Sequence, residues 1–417
     1  MDKYQYDLIV MGAGASGLMA AGAAAANGKK VLVLEKNKEL GKKLRITGGG
    51  RCNITNATFD EREFLKKFGD AEKFLYSPLS QFGVQDTFDF FENRGLKLVT
   101  EARNRVFPKS QSAEDVYRVM YQYIKSPNVK VIVNSPVLKI SSEIIDGKPV
   151  IAYVQTKEEK FTAKNYLIAT GGVSHPETGS TGDGLKWLKK LGHTVNTPSP
   201  NVVPLKTRDK WCHDLSGVSL SFMKISFYVN DKKAFSETGK ILFTHFGVSG
   251  PLILNAAHRV ADLLHEGSVT AFVDCYPDTD HGALEKQILK TFDKNKNKDF
   301  KNILDEIVPP GMDNAIIEFH IVDDVTKKVH SITKEERKNI VRLLKGMPLN
   351  IEGLMGMDRA VISDGGVPLT EIDTKTMQSK VCDNLYMTGD LLHINRPSGG
   401  YSLQLCWTTG YVAGQLK

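Results

Sequence analysis

The sequence predicts an α/β fold in which both ends of the chain build one nucleotide-binding domain and the middle is inserted into it. A buried-strand run at Tyr6–Met11 leads through glycines into an alanine-rich helix at Gly14–Asn27 and a second strand at Lys30–Leu34. This β-α-β order is the start of a parallel sheet. From about residue 193 to 350 the pattern changes to strand-like pieces followed by charged helices, and glycine-punctuated strands return after Leu354.

Composition bounds the class of protein. The 417 residues suggest about two to three domains, and 41% hydrophobic with 25% charged residues is typical of a globular protein. The net charge of +7 allows an anionic partner, but the lysine-rich run at 286–301 is interpreted as a solvated helix face. Nucleic acid is therefore not expected as a partner.

The cysteines and the apolar N-terminal run bear on location. Five cysteines, an odd number without a C-x-x-C pair, indicate neither a disulfide framework nor a metal site. They favour a reducing, cytoplasmic location. Leu8–Gly28 is apolar enough to imitate a membrane span, but its glycine spacing and the strand that follows argue against both a span and a secretory signal.

The segment Gly12-Ala13-Gly14-Ala15-Ser16-Gly17 follows a strand and opens a helix, which is the context of a dinucleotide fingerprint. Its glycines allow a tight turn, a close approach of the backbone to a pyrophosphate, and close helix–strand packing. The helix N-terminus adds free N–H groups and a partial positive charge. Glu35 ends the second strand, where its carboxylate can accept ribose hydroxyls.

The other end of the chain distinguishes FAD from NAD. The short strand in Leu385–Asp390 ends in Gly389-Asp390, and Gly400 to Leu403 open a last helix, Tyr401–Gln415. An acid here can hold a ribityl hydroxyl, and the helix N-terminus can stabilise negative charge on a reduced flavin. Leu167–Gly172 is a third strand end lined with small residues. NAD needs no such second site, so the sequence predicts FAD.

The stretch Ile46–Asn56, ITGGGRCNITN, follows the predicted ribose-binding acid. We expect its glycines to let backbone amides lie against the pyrophosphate and flavin, with positive charge from Arg51 and the nearby Lys42, Lys43 and Arg45. No Gly-Lys-Ser/Thr follows, which excludes a P-loop. Cys52 has no neighbouring cysteine, so a packing role is favoured over redox chemistry.

These motifs together resemble a family of bacterial flavoproteins. The motifs are GAGASG, KKLRITGGGRCNITN, RVFPKSQSAEDV, LIATGG with TGSTGDG, THFGVSGP and GGYSLQLCWTTGYVAG. The family includes aminoacetone oxidase and the bile-acid-pathway enone reductase, and its members are described as NAD(FAD)-utilising dehydrogenases. The resemblance implies a Rossmann-like FAD-binding domain (1–192 and 352–417), an inserted β-barrel-like domain (193–278 with 335–351) and a small helical domain (279–334).

The resemblance and the motifs together predict the residues that bind non-covalent FAD. They are Gly12, Gly14, Ala15, Ser16, Gly17, Glu35, Lys36, Lys43, Arg45, Thr47, Gly49, Gly50, Arg51, Cys52, Asn53, Val137, Thr170, Gly171, Gly172, Gly389, Asp390, Gly400, Tyr401, Ser402 and Leu403.

Three functions are compatible with the sequence. The variant Gly389-Asp390-Leu-Leu-His393 and the loop before the last glycines favour an oxidase of a small primary amine such as aminoacetone, with O2 as second substrate. An NAD(P)H-dependent reductase of an enone-type substrate and an RNA-associated flavoprotein are the alternatives. His393, Arg396 and Tyr401 are the catalytic candidates, His245 is expected to be a buried structural residue, and the oligomeric state is left open.

Overall fold

The computed structural model describes residues 4–416. They form two compact units, one made of the chain up to Pro200 together with Ala360 onward, and the other of Asn201–Arg359. Within the described part of the chain, no helix combines the length and the apolar composition needed to cross a lipid bilayer. The finer division predicted for 193–278, 279–334 and 335–351 stays a prediction.

The first unit begins with alternating strands and helices. Its strands are β1 (Tyr6–Met11), β2 (Val31–Leu34), β3 (Thr55–Asn56), β4 (Leu98–Glu101), β5 (Arg105–Pro108), β6 (Val129–Ile132), β7 (Lys139–Ile145), β8 (Lys148–Gln155), β9 (Lys160–Phe161), β10 (Ala163–Ile168) and β11 (Asn196–Asn201). Its helices are α1 (Ala15–Ala26), α2 (Lys42–Ile46), α3 (Glu61–Leu65), α4 (Glu72–Gln81), α5 (Val84–Glu92), α6 (Ala113–Ile124) and α7 (Asp183–Lys190).

The second unit follows, and the chain then returns to the first. The second unit contains β12 (Leu205–Thr207), α8 (Lys210–Asp214), β13 (Ser219–Val229), β14 (Lys232–Thr244), β15 (Gly247–Ser249), α9 (Pro251–Glu266), β16 (Val269–Asp274), α10 (His281–Lys294), α11 (Asp313–Glu318), α12 (Lys334–Leu344) and β17 (Met347–Leu354). The return to the first unit adds β18 (Ile362–Gly366), β19 (Leu385–Met387) and α13 (Tyr401–Gly414).

A parallel sheet of five strands, in the order β19-β10-β1-β2-β6, forms the centre of the first unit. Leu8 of β1 lies between Val31 of β2 and Asn165 of β10. The central strands are apolar throughout because a parallel sheet is covered on both faces, and Leu8 and Val31 are fully buried. The carboxyl ends of these strands meet at one edge, so the turns that follow them converge there.

Helices α1 and α13 touch through their backbones. A Cβ atom at Gly410 would lie 2.4 Å from the carbonyl oxygen of Ser16, and one at Gly414 would lie 2.6 Å from that of Ala20. Any larger side chain at these glycines would therefore separate the helices. Both helices are apolar around most of their circumference, which is typical of helices enclosed by other elements.

Six antiparallel strands of the second unit close into a barrel in the order β12-β15-β14-β13-β16-β17. Alternation along β13 places Ile225 and Phe227 inside, whereas Ser226 and Tyr228 are partly exposed on the outer side. Side chains from α9, α10 and α12 share the apolar core of this unit. The predicted fold class, a Rossmann-like α/β domain with an inserted barrel and helices, is confirmed.

β7 begins at Lys139, after Pro136, which has no N–H to pair, and the N–H of Ser135 bonds to the carbonyl oxygen of Glu35. One local prediction is wrong. His245 was expected to be buried, but it is exposed in the turn between β14 and β15, where its ring packs edge-on against Phe246.

A buried histidine ties the loop after α7 to the segment before β19. The Nδ1 atom of His193 lies 2.6 Å from a carboxylate oxygen of Glu371, and its Nε2 lies 2.9 Å from Oγ of Ser379. The order Ser–His–Glu resembles a nucleophilic triad, but the Ser379 oxygen is buried and already accepts the N–H groups of Val381 and Cys382. We therefore interpret this contact as structural.

The stability of the protein should depend on the charge of His193. Burial lowers the pKa of His193 below its ordinary value, against the opposite effect of Glu371. The unfolded chain therefore binds a proton at this residue more readily, and the free energy of unfolding should fall as pH drops below about 6.5. Urea unfolding at several pH values checks this. In the His193→Gln variant the glutamine side chain does not titrate, so the free energy of unfolding should depend less on pH than in the parent. Equal slopes of this free energy against pH in the two proteins would contradict the prediction.

Candidate functional site

A cleft opens at the carboxyl ends of the parallel strands in the first unit and encloses about 1240 Å³, its open mouth included. The sequence-predicted residues that line it are Gly12, Gly14, Ala15, Ser16, Glu35, Lys36, Lys43, Thr47, Val137, Thr170, Gly171, Asp390, Ser402 and Leu403.

The turn from β1 into α1 brings bare backbone to the cleft. Gly12 has φ of +106°, and a Cβ there would lie 2.6 Å from the carbonyl oxygen of Ala169. A Cβ at Gly17 would lie 2.0 Å from the carbonyl oxygen of Gly12, whereas a Cβ at Gly14 would meet nothing within 4 Å. Gly14 is also the N-cap of α1 and offers no capping side chain. The first N–H groups of α1 are therefore available to an anionic ligand.

Glu35 is held in one orientation by the backbone. Its Oε2 accepts the N–H of Ala13 at 2.9 Å, and its Oε1 accepts the N–H of Asn37 at 2.8 Å. The side chain is only 6% exposed, so the carboxylate presents its remaining lone pairs to the cleft. This arrangement can accept hydrogen bonds from ribose hydroxyls.

Lys43 places a cation at the cleft wall. Its Nζ donates to the carbonyl oxygen of Ser174 at 2.7 Å and to Oγ of Ser180 at 2.8 Å. Burial lowers the pKa of Lys43, and the negative charge of Asp390 opposes that effect. The loop after β10 thus orients this cation, which suits a phosphate-bearing ligand.

Asp390 is paired with Arg396 at the start of α13. The guanidinium is 1% exposed and forms an ion pair with Asp390, donates to the carbonyl oxygen of Ile394 at 2.8 Å, and donates to Oγ of Ser402 at 3.0 Å. Each nitrogen of Arg396 therefore has a partner within the protein. This argues for a positioning role of Arg396 rather than the predicted catalytic one.

The other predicted site residues lie outside this cleft. They are Gly17, Arg45, Gly49, Gly50, Arg51, Cys52, Asn53, Gly172, Gly389, His393, Arg396, Gly400 and Tyr401. The glycines Gly17, Gly172 and Gly400 permit close packing, since a Cβ at each would lie within 2.4 Å of a neighbouring atom.

The segment Gly48–Gly50 is exposed, with positive φ at each residue. The next residue, Arg51, does not line the cleft; it pairs with Glu101, and its Cζ lies 4.0 Å from the ring centre of Phe107. Arg45 pairs with Glu39 and Glu114.

His393 and Tyr401 occupy different surroundings. Nδ1 of His393 lies 2.7 Å from Nδ2 of Asn196, and its Nε2 lies 3.3 Å from a carboxylate oxygen of Asp364. The ring of Tyr401 is buried, with its centre 5.0 Å from that of Phe64. Burial raises the pKa of Tyr401, so its phenol stays protonated at neutral pH.

Cys52 is fully buried and has φ of +60°, a conformation that non-glycine residues seldom adopt. Burial raises the pKa of its thiol to about 12. A thiol that is not ionised at neutral pH is a poor nucleophile, which supports the packing interpretation.

Sequence reasoning missed several residues of the cleft. They are Asn37, Ser135, Pro136, Thr178, Gly179, Ser180, Asp183, Trp187, Val361, Ile362 and Cys406. The glycine-rich TGSTGDG run was a usable signal for Thr178–Asp183, because such loops let a backbone approach a ligand. Val361 and Ile362 carried no comparable signal, since only the return of the chain from the second unit brings them to the cleft.

The residues present fit FAD. The space beside Gly14 is open, and neither α1 nor α13 has an N-terminal side-chain cap. Glu35 and Asp390 place carboxylates at two separate parts of the cleft wall, as ribose and ribityl hydroxyls require.

The fold and the cleft define a dinucleotide-binding protein of the Rossmann class. The chain belongs to the HI0933-like Rossmann-domain family, whose model matches residues 6–416. This membership confirms the predicted family and the predicted cofactor, FAD, and makes the protein an FAD-dependent oxidoreductase.

Known proteins resemble this chain over nearly its full length. It is 29% identical to a 3-dehydro-bile acid delta(4,6)-reductase of Clostridium scindens, over 97% of each chain. It is 28% identical to a ribosomal RNA dihydrouridine synthase of Haemophilus influenzae, over 99% of this chain and 98% of the other. The structure of a 3-ketosteroid delta1-dehydrogenase from Sterolibacterium denitrificans has the same fold, with a TM-score of 0.53, 14% identity and 98% coverage of both chains.

Two glycines of the fingerprint should respond differently to an added methyl group. Gly12→Ala should destabilise the FAD-free protein by about 1–3 kcal/mol, because its φ is positive and Ala169 leaves no room. Gly14→Ala should leave the FAD-free melting temperature unchanged but weaken FAD binding roughly tenfold, about 1.4 kcal/mol. Thermal melts and FAD titration of both variants check this. Unchanged FAD affinity in Gly14→Ala would contradict the placement of the pyrophosphate.

The buried Asp390–Arg396 pair should matter more for stability than an exposed pair. Arg396→Gln leaves the largely enclosed Asp390 without its counter-ion and should cost about 3 kcal/mol. Lys148→Gln breaks an ion pair with Asp383 whose partners are half exposed, and it should cost less than about 1 kcal/mol. Urea unfolding of the FAD-free variants measures both. Equal costs would show that Arg396 does not hold this region together.

Proposed function

We propose that this protein is an FAD-dependent reductase that uses NAD(P)H to saturate a carbon–carbon double bond conjugated to a carbonyl group. The observation that supports it is a chemistry shared by two relatives with unlike substrates. One is named for reducing the delta(4,6) bonds of a 3-dehydro-bile acid, and the other for making dihydrouridine in ribosomal RNA. In the keto steroid and in the uracil ring alike, the saturated bond is conjugated to a carbonyl.

We further propose that the acceptor is a uracil base in RNA. The chain has a net charge of +7 and a pI of about 8.9, which favours a polyanionic substrate over a neutral one. This combines two of the three functions that the sequence allowed. It also revises the expectation that nucleic acid is not a partner.

The reaction needs one hydride and one proton at the two carbons of the double bond. FAD, when bound, supplies the hydride chemistry. In this proposal the chain holds it through the uncapped N-termini of α1 and α13 and the carboxylates of Glu35 and Asp390. Arg396 positions Asp390, and Lys43 adds a cation at the wall of the cleft.

Two residues that the sequence predicted as catalytic, and that do not themselves line the cleft, are candidates for the proton donor. The phenol of Tyr401 stays protonated at neutral pH because burial raises its pKa. His393 carries an imidazole, a common general acid, and its Nε2 lies 3.3 Å from a carboxylate oxygen of Asp364. A neutral donor positioned at the α-carbon is what such a saturation requires.

The competing prediction is oxidation of a small amine with O2 as second substrate, which the sequence favoured. The two functions differ in which compound reduces the flavin and in which compound reoxidises it. Both functions are compatible with a cytoplasmic location, where NAD(P)H is available.

An anaerobic experiment separates them. We expect NADPH or NADH, but not aminoacetone, to bleach the yellow protein, and uridine-containing RNA to restore its colour with conversion of uridine to dihydrouridine. Absorbance and mass spectrometry of the digested RNA are the measurements. RNA whose uridines are already reduced is the matched control and should not restore the colour. Bleaching by aminoacetone and not by NAD(P)H would contradict the proposal.

A further inference from the structure

The outer surface of the barrel in the second unit combines aromatic rings with lysines. Phe222, Lys224 and Tyr228 follow one another along the outer side of β13, and Phe272 lies beside them on β16. Lys240 on β14 lies opposite the β13 bulge that contains Phe222. We call these five residues the outer barrel face.

Phe222 is the most unusual residue of this face. It has φ of +58° and is 72% exposed. The pairing of β13 with β14 shifts between Leu220 and Met223, so Phe222 belongs to a β-bulge. A left-handed conformation costs a non-glycine residue about 1–3 kcal/mol, and an exposed phenyl ring recovers little of that by packing. Strained residues of this kind cluster at sites that bind ligands.

Tyr228 and Phe272 form the wall of a shallow cleft next to Phe222. Their rings meet edge to face, with centres 5.2 Å apart. The same cleft is lined by Lys224, Ser226 and Lys345. From Phe222 to Tyr228 the strand spans about 20 Å, which is long enough for several nucleotides.

The charge of this face is positive once internal ion pairs are set aside. Lys345 lies 2.7 Å from Asp274 and donates to the carbonyl oxygens of Tyr276 and Thr279, so both charges are satisfied within the protein. Lys224 and Lys240 form no ion pair within residues 4–416, and Asp231 is the unpaired acid of the cleft. Free ammonium groups beside exposed rings suit a polyanion with flat bases.

We propose that the outer barrel face binds single-stranded RNA. Bases stack on Phe222, Tyr228 and Phe272, and phosphates bind Lys224 and Lys240. This combination of stacking rings and cations is how folds of several kinds bind single strands. A duplex hides the faces of its bases from such rings. The inference rests on the proposed function, in that it names the surface through which an RNA substrate is held.

Fluorescence anisotropy of the FAD-loaded full-length protein tests this, with a fluorescein-labelled oligouridylate of about 15 nucleotides as probe. Phe222→Ala should weaken binding about fivefold or more, and Phe222→Trp should retain it. The double variant Lys224→Gln, Lys240→Gln should reduce the slope of log affinity against log salt by about 1.4. The matched control, Lys286→Gln with Lys290→Gln, removes two exposed lysines of α10 and should change affinity much less.

Further measurements keep the outcomes apart. Phe222→Gly relieves the positive φ, so it should melt no lower than the parent while losing affinity, which separates binding from folding.

If no variant of the face differs from the α10 control, or if the parent does not bind the oligonucleotide, the inference is overturned. Loss of a dimer in Phe222→Ala by analytical ultracentrifugation would overturn it in favour of self-association. Bleaching by NADPH should be the same in all these variants, so a failed RNA contact is distinguishable from a failed reductase.

Discussion

The cleft depends on the backbone contact between α1 and α13. Glycines at 410 and 414 allow the last helix to lie against the carbonyl groups of Ser16 and Ala20 in the first. Hydrogen bonds reinforce the contact, because Thr388 donates to Ser16 at 3.0 Å and the N–H of Gly389 donates to Thr409 at 3.2 Å. Two chain ends separated by almost the whole sequence thus place their helix N-termini at one cleft.

The charges of the site are arranged by the protein before any ligand arrives. Each guanidinium nitrogen of Arg396 has a partner within the protein, Glu35 accepts two backbone N–H groups, and Lys43 donates to the loop after β10. Groups that are already oriented lose little side-chain freedom when a ligand binds. This explains why a site for a large anionic cofactor contains few mobile side chains.

The Ser379–His193–Glu371 contact and Cys52 have the residue types of nucleophilic sites, but neither has the exposure or ionisation that a nucleophile needs. The Ser379–His193–Glu371 contact is enclosed, and its serine oxygen already accepts two backbone N–H groups. The thiol of Cys52 is buried and un-ionised. In both cases the residue type suggests a nucleophile, but burial prevents the side chain from acting as one. Neither Ser379 nor Cys52 therefore supplies a nucleophile.

The sequence by itself determined the parts of the site that depend on neighbours along the chain. The β1–α1 turn with Gly12 and Gly14 and the acid at Glu35 obey short-range rules of turn geometry and helix ends, so their placement at the cleft followed from spacing alone. The tertiary structure decided which distant groups meet. It joined Lys43 to Ser180 and assembled the outer barrel face from three strands. The sequence marks only the part of that face that lies in β13, because Lys240 and Phe272 come from other strands far along the chain.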